Sequence, residues 1–246
     1  MSAQQSTSIL VNGTKTFVPL ENNPVVFSHL IRALGVSSEL SFHDVYSIDE
    51  PSLLKAIPRP ALALIFICPG KTYHAARDAE LAALEAYDDS GEYPVMWFKQ
   101  TIREACGLMG LLHAVCNGGA RAYITPGSSL DEFRRAAVPL KTKERGELLY
   151  NSEALERAHA AAAQLGDTEA PALGVDANGH FICFVKGDDG HLWELCGTKG
   201  PIDRGELEEG DDALSERALR LGVRTFLEKA GDDPNFSLVA LAPSEE

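Results

Sequence analysis

Apolar positions along this chain change period repeatedly, from the 3.6-residue spacing of helices to the alternating or unbroken runs of strands, which predicts intermixed helices and strands. Phe27, Leu30, Ile31 and Leu34 fall at i, i+3, i+4 and i+7; Asn23 can cap that helix, Pro24 starts it and Gly35 closes it. Phe42 to Ile48 reads as a short strand and Asp49 to Ile57 as a short helix. Ala61 to Cys68 is apolar at every position, as expected of a central strand covered on both faces. Tyr73 to Asp88 is helical in composition, with Leu81 and Leu84 among alanines and charges, and reads as a surface helix. A helix beginning near Cys106 carries Leu108, Leu111, Leu112 and Val115 on one face and stops at Asn117-Gly118-Gly119. Residues 128 to 138 predict another capped helix. Residues 141 to 165 are helix-permissive but weakly patterned, run into Gly166 to Pro171, and are expected to form a mobile excursion. His180 to Lys186 and His191 to Cys196 flank Gly187-Asp188-Asp189-Gly190 as a hairpin, and a helix over 212–229 precedes a last strand over Phe236 to Leu241. Residues 1 to 8 are a polar tail, Ile9-Leu10-Val11-Asn12-Gly13-Thr14 carries the Asn-Gly signal of a tight hairpin turn, and order is expected to begin near Phe17.

Composition narrows the class without changing that picture. With 246 residues, 45% hydrophobic and 24% charged, the chain can build one sizeable core, and it contains no internal repeat, GxGxxG pattern or P-loop. Five cysteines, mostly within apolar runs, fit reduced thiols and a cytoplasmic protein, with the nucleus also open. The N-terminus has no basic segment followed by an apolar one, and no apolar run approaches the ~18 residues of a membrane span, so no membrane association is expected. A net charge of -14 argues against a nucleic-acid partner and for a basic protein one. Residues 187 to 214 hold nine acids against Lys199 and Arg204; a solvated acidic loop is the plainer reading, a docking patch the alternative.

Chemistry enters with Cys106. A thiol at a helix N-terminus feels the positive end of the backbone dipole, which favours thiolate, and Gln100, six residues ahead, offers an amide donor beside the Cys106 N–H for an oxyanion. Gln-x5-Cys is also the spacing of papain-like proteases. A small buried apolar residue is the bland reading of any cysteine, so a partner base decides. Of seven histidines, His180 stands at the start of an apolar strand just after a turn and is the base candidate. His113 lies two turns along the Cys106 helix and reads as structural, while His29, His43, His74, His159 and His191 have no comparable setting. A Cys–His pair needs a third group to hold the imidazole. If the hairpin is symmetric about Asp188, residue 180 faces residue 196, which is a cysteine and not an acid.

Longer stretches carry a resemblance: Pro19-Leu20-Glu21-Asn22-Asn23-Pro24, Phe42-His43-Asp44-Val45-Tyr46, Pro58-Arg59-Pro60, Phe98-Lys99-Gln100 through Ala105-Cys106-Gly107, Leu111-Leu112-His113-Ala114, Thr168-Glu169-Ala170-Pro171, His180-Phe181-Ile182 and His191-Leu192-Trp193-Glu194-Leu195. In order, over roughly residues 17 to 242, they resemble the ubiquitin C-terminal hydrolase family of cysteine proteases, in particular its short single-domain members. The resemblance implies an α/β fold of α+β type, with a central antiparallel sheet flanked by helices in a papain-like arrangement. It implies a flexible tail over 1–16, one catalytic domain over 17–246, and an active-site crossover loop at about 151–170 that is threaded by the ubiquitin tail and limits the leaving group. The implied activity is thiol-dependent cleavage of small adducts or short extensions from the C-terminus of ubiquitin or a ubiquitin-like protein, by a monomer with no cofactor. Cys106 would be the nucleophile, His180 the general base and acid, and Gln100 the oxyanion donor.

One departure stands out. The family's strand ends Glu-Leu-Asp-Gly, and that aspartate orients the histidine; here Glu194-Leu195-Cys196-Gly197 follows a turn one residue longer, so Cys196 occupies the orienting-acid position. Removing the charge of this acid from a Ser-His-Asp triad costs about 10⁴ in rate, and a thiol nucleophile should lose less. Glu194, Asp203 or a water could stand in. Zinc held by Cys106, His180 and Cys196 has suitable ligand types, but triad geometry keeps the sulfurs apart, so no metal is expected. Two readings follow, a deubiquitinating thiol hydrolase of reduced activity and a ubiquitin-binding protein of the same fold with weak turnover; a redox- or metal-regulated module using Cys196 is a third.

Overall fold

In the computed structural model, which describes residues 8–83, 93–168 and 179–245, the chain is built on a six-stranded sheet in which every neighbouring pair is antiparallel. Its strands are β3 (Leu40–Asp44), β4 (Ala63–Pro69), β5 (Gly179–Lys186), β6 (His191–Leu195), β7 (Ile202–Glu206) and β8 (Ser237–Pro243), in the order β3-β8-β4-β5-β6-β7. β4 explains its own sequence: Ala63 and Ile65 face one hydrophobic cluster while Leu64, Phe66 and Cys68 face the other, so both faces are covered.

The first cluster joins the sheet to α1 (Pro24–Leu34), α4 (Cys106–Val115), α5 (Ser129–Ala137) and α7 (Glu153–Ala162). The second joins it to α3 (Gly70–Ala83), α8 (Glu216–Leu221) and α9 (Arg224–Ala230). α2 (Pro51–Lys55) and α6 (Thr142–Tyr150) complete the helices. α1 has the predicted ends: the Asn23 side chain accepts from the Val25 N–H, and Gly35 closes the helix at φ 98. A Cβ at Gly35 would also lie 2.2 Å from the Ser128 Cβ, so the α1 exit packs against the α5 cap. No helix among the described residues is long and apolar enough to cross a membrane.

Three expectations change. Residues 9–16, assigned to a flexible tail, are ordered as the hairpin that Asn12-Gly13 signals, β1 (Ile9–Val11) and β2 (Thr14–Thr16), because Thr16 bridges to Arg103 and Lys15 forms an ion pair with Glu156 at 2.6 Å. The mobile excursion over 141–165 is instead α6 and α7; Leu155, Ala158, His159 and Ala162 pack into the core beside α1, a partner that a local pattern cannot reveal. Half of the crossover loop assigned to 151–170, Glu153–Ala162, is therefore helix, and residues 169–178 lie outside the described residues. Third, α3 is no plain surface helix: Tyr73 and Arg77 are buried, and Arg77 forms an ion pair with Glu194 at 2.6 Å. Leu84 to Asp88 of that predicted helix lie outside the described residues.

Candidate active site

α4 presents Cys106 as its first residue, with Ala105 capping it through the backbone alone, so the half-buried thiol meets unpaired helix N–H groups. Glu104, just ahead, holds φ 58, a conformation that costs a non-glycine residue about 1–3 kcal/mol. The backbone N–H groups of Cys106 and Gly107 pull the thiol pKa down as expected, but burial, aided by the Glu104 carboxylate, outweighs them and pushes it up to about 12. The resting group is a thiol, contrary to the expectation from the helix dipole alone.

The same helix positions the segment that carries Gln100. The buried Asn117 side chain at the end of α4 accepts from the Met96 N–H at 2.6 Å and donates to the Met96 and His113 carbonyls, both at 2.9 Å. His113 Nε2 accepts the Phe98 N–H at 3.1 Å, so this histidine is structural, and burial pulls its pKa down to about 3. The Gln100 N–H then donates to the Gly197 carbonyl at 2.8 Å, and a Cβ on Gly197 would lie 2.7 Å from the Gln100 Cβ. Gln100 Nε2 donates to the Ile102 carbonyl at 3.0 Å.

His180 enters from β5, opposite Cys68 of β4. Its ring stacks on Tyr73 of α3 with centroids 3.7 Å apart, and its Nε2 is buried with no hydrogen-bond partner among the described residues. Burial, with a smaller contribution from His74, pulls its pKa down to about 4. The β5–β6 register pairs Cys183 with Leu195 and Lys186 with Leu192, so the hairpin is centred on Asp189 and not Asp188. Position 196 therefore lies opposite 182 by extension, not opposite 180. The reason is the turn: the Gly187 N–H donates to the His191 carbonyl at 2.8 Å and Gly190 sits at φ 82, the geometry of a three-residue loop. The Cys196 Sγ lies 3.5 Å from both the Tyr73 hydroxyl and Thr198 Oγ1, and the Cys196 carbonyl accepts from Trp97 Nε1 at 2.7 Å.

Gln100, Cys106 and His180 line one cavity of about 140 Å³, together with Glu104, Gly179 and Thr198. Cys196 is outside that lining, so the three zinc-type ligands do not converge. The two acids named above as stand-ins are engaged elsewhere. Glu194 is buried and doubly bonded to Arg77, and Asp203 accepts from His191 Nδ1 at 2.9 Å. Glu194 also qualifies the acidic stretch: it and Asp212, which pairs with Arg59, are buried, whereas residues such as Asp188, Glu208 and Glu209 are exposed. Tyr73, Glu104, Asn117 and Thr198 escaped the sequence reading. Only Asn117 carried a signal, and it was spent on marking the end of a helix.

Comparison with known proteins bears on this geometry. Residues 17–228 match the profile of ubiquitin carboxyl-terminal hydrolase, family 1. The chain is 29% identical over 241 residues to ubiquitin carboxyl-terminal hydrolase YUH1 of Saccharomyces cerevisiae, covering 94% of this chain and 98% of that one. It is 33% identical over 225 residues to human ubiquitin carboxyl-terminal hydrolase isozyme L1, covering 91% and 96%. The catalytic domain of Trichinella spiralis UCH37, solved bound to ubiquitin vinyl methyl ester, superposes with a TM-score of 0.69 at 23% identity over 93% of this chain and 95% of that one, a likeness of fold.

Proposed function

The chain belongs to family 1 of the ubiquitin carboxyl-terminal hydrolases, and from that premise we propose that it cleaves small adducts or short extensions from the C-terminus of ubiquitin with Cys106 as nucleophile. The observation that carries the reading is the convergence of Gln100, from the segment ahead of α4, Cys106, from the start of α4, and His180, from β5, on one cavity.

The Cys106 sulfur attacks the carbonyl carbon of the last ubiquitin residue, and its proton passes to His180. The oxyanion is held by the Cys106 N–H and by Gln100 Nε2, which must turn from the Ile102 carbonyl. His180 then protonates the leaving amine, and a water it deprotonates cleaves the thioester, returning the thiol. With burial holding the thiol up near 12 and the imidazole down near 4, both rest neutral, and the proton passes from Cys106 to His180 as attack proceeds and not before it. The segment joining α7 to β5, shorter than the 151–170 expected, would be the crossover strap; its Asp167 and Thr168 N–H groups donate to Glu21. A monomer acting in the cytosol or nucleus is part of this proposal.

The second reading is a ubiquitin-binding protein with weak turnover, favoured by the thiol at position 196 and the unpartnered Nε2 of His180. Hydrolysis of a fluorogenic ubiquitin C-terminal adduct separates the two. The enzyme reading expects turnover that Cys106→Ala abolishes and Cys196→Asp increases at least about tenfold, by ~1.4 kcal/mol of transition-state stabilisation. Wild-type protein that binds ubiquitin yet is no faster than Cys106→Ala would establish the second reading.

A further inference from the structure

A larger cavity of about 670 Å³ lies beside the catalytic one. Lys99 and Thr101, the neighbours of Gln100 in the chain, line it, as do Lys143 of α6 and Lys199. Thr198 lines both cavities, so the two adjoin at the oxyanion side of Cys106. Three of the chain's nine lysines thus gather around one space, against a single acid, Glu147, in a protein of net charge -14. None of the three ammonium groups pairs with a described acid, whereas Lys15 and Lys71 are both in ion pairs.

We propose that this cavity is the leaving-group subsite and selects an acidic peptide segment on the far side of the scissile bond. The inference rests on the reading of Cys106 and Gln100 given above. A substrate bound with its carbonyl between Cys106 and Gln100 sends one arm each way along the cleft. The lining of the catalytic cavity includes Gly179 at the start of β5 and also Thr198, which it shares with the lysine-lined cavity. The ubiquitin tail is basic and is repelled by a cavity of net charge +2, so the lysine-lined side falls to the departing arm. Trp97 and Tyr150 in the walls supply apolar surface for its side chains. Cation-lined clefts raise the local concentration of anionic ligands, and the effect falls with salt.

The test uses ubiquitin carrying acidic, neutral or basic eight-residue C-terminal extensions, beside the small fluorogenic adduct. At low ionic strength the acidic extension should be cleaved with kcat/KM about tenfold above the basic one, the gap closing to about twofold near 0.5 M salt. The double variant Lys143→Glu/Lys199→Glu changes the cavity from +2 to -2 and should reverse the preference among the three extensions. Equal rates for the three extensions, or a preference that the double variant does not move, overturns the proposal. Should wild-type protein fail on the fluorogenic adduct, the reading of Cys106 falls and binding of a labelled free acidic peptide decides the cavity. Binding lost in the double variant supports the subsite, and unchanged binding rejects it.

Discussion

His180 shows how one side chain can be held without the group expected to hold it. In a triad the orienting acid fixes the imidazole by a hydrogen bond; here the ring lies against Tyr73 at 3.7 Å, and the Tyr73 hydroxyl reaches the thiol at position 196. An aromatic pair is worth about 1 kcal/mol beyond its buried area, which as a loss of ring orientation would be roughly fivefold in rate. Tyr73→Leu is accordingly expected to lower kcat about fivefold with KM unchanged and to raise the apparent pKa of the acid limb of the rate profile, since His180 regains solvent. Tyr73→Phe keeps the ring and should retain most of the activity. A Tyr73→Leu enzyme with wild-type kcat and pH profile would remove Tyr73 from the mechanism. Cys106 and His180 themselves were legible from sequence, because a cysteine opening an apolar helix and a histidine opening an apolar strand are local patterns. Tyr73 was not, since its role depends on α3 crossing the sheet at β5.

At the scale of elements, α4 does two jobs with one set of turns. It offers Cys106 at its start, and through His113 and Asn117 it holds the 96–100 segment that ends in Gln100. The proposed nucleophile and the proposed oxyanion donor therefore share one rigid support. Asn117→Ala removes three hydrogen bonds and leaves the Met96 N–H without its acceptor, a loss expected to destabilise the protein by about 3 kcal/mol. Urea denaturation would read this, and a shift below about 1 kcal/mol would contradict the clamp. Elements with both ends marked, such as α1, could be read from the chain alone. α6 and α7 could not, because alanine-rich helices acquire their stability from packing, here against α1 and the first core cluster. The β5–β6 hairpin was legible as a hairpin but not in register, since one residue of turn length decides which positions face each other.

For the whole molecule, burial governs the response to pH. His113 and His159 are fully enclosed, with pKa values pulled down to about 3 and about 4 by burial, against about 6.5 in the unfolded chain. As pH falls the unfolded state takes up these protons first. The two histidines' contribution is therefore complete above pH 6.5 and is lost progressively towards pH 4, each at up to about 1.4 kcal/mol per pH unit. Urea midpoints at pH 7, 6 and 5 should fall steadily, and midpoints that stay level would refute the assignment. Sequence by itself determined the family, the mixed α/β class, the residues with suitable chemistry and the cysteine where an acid is expected. These follow from residue identity and from spacings of a few positions. Only the tertiary structure decided that the Cys106 thiol rests protonated, that Cys196 turns to Tyr73, and that lysines 99, 143 and 199 share one cavity. Ionisation depends on burial and on charges distant in sequence, and convergence depends on how elements cross, neither of which a local pattern contains.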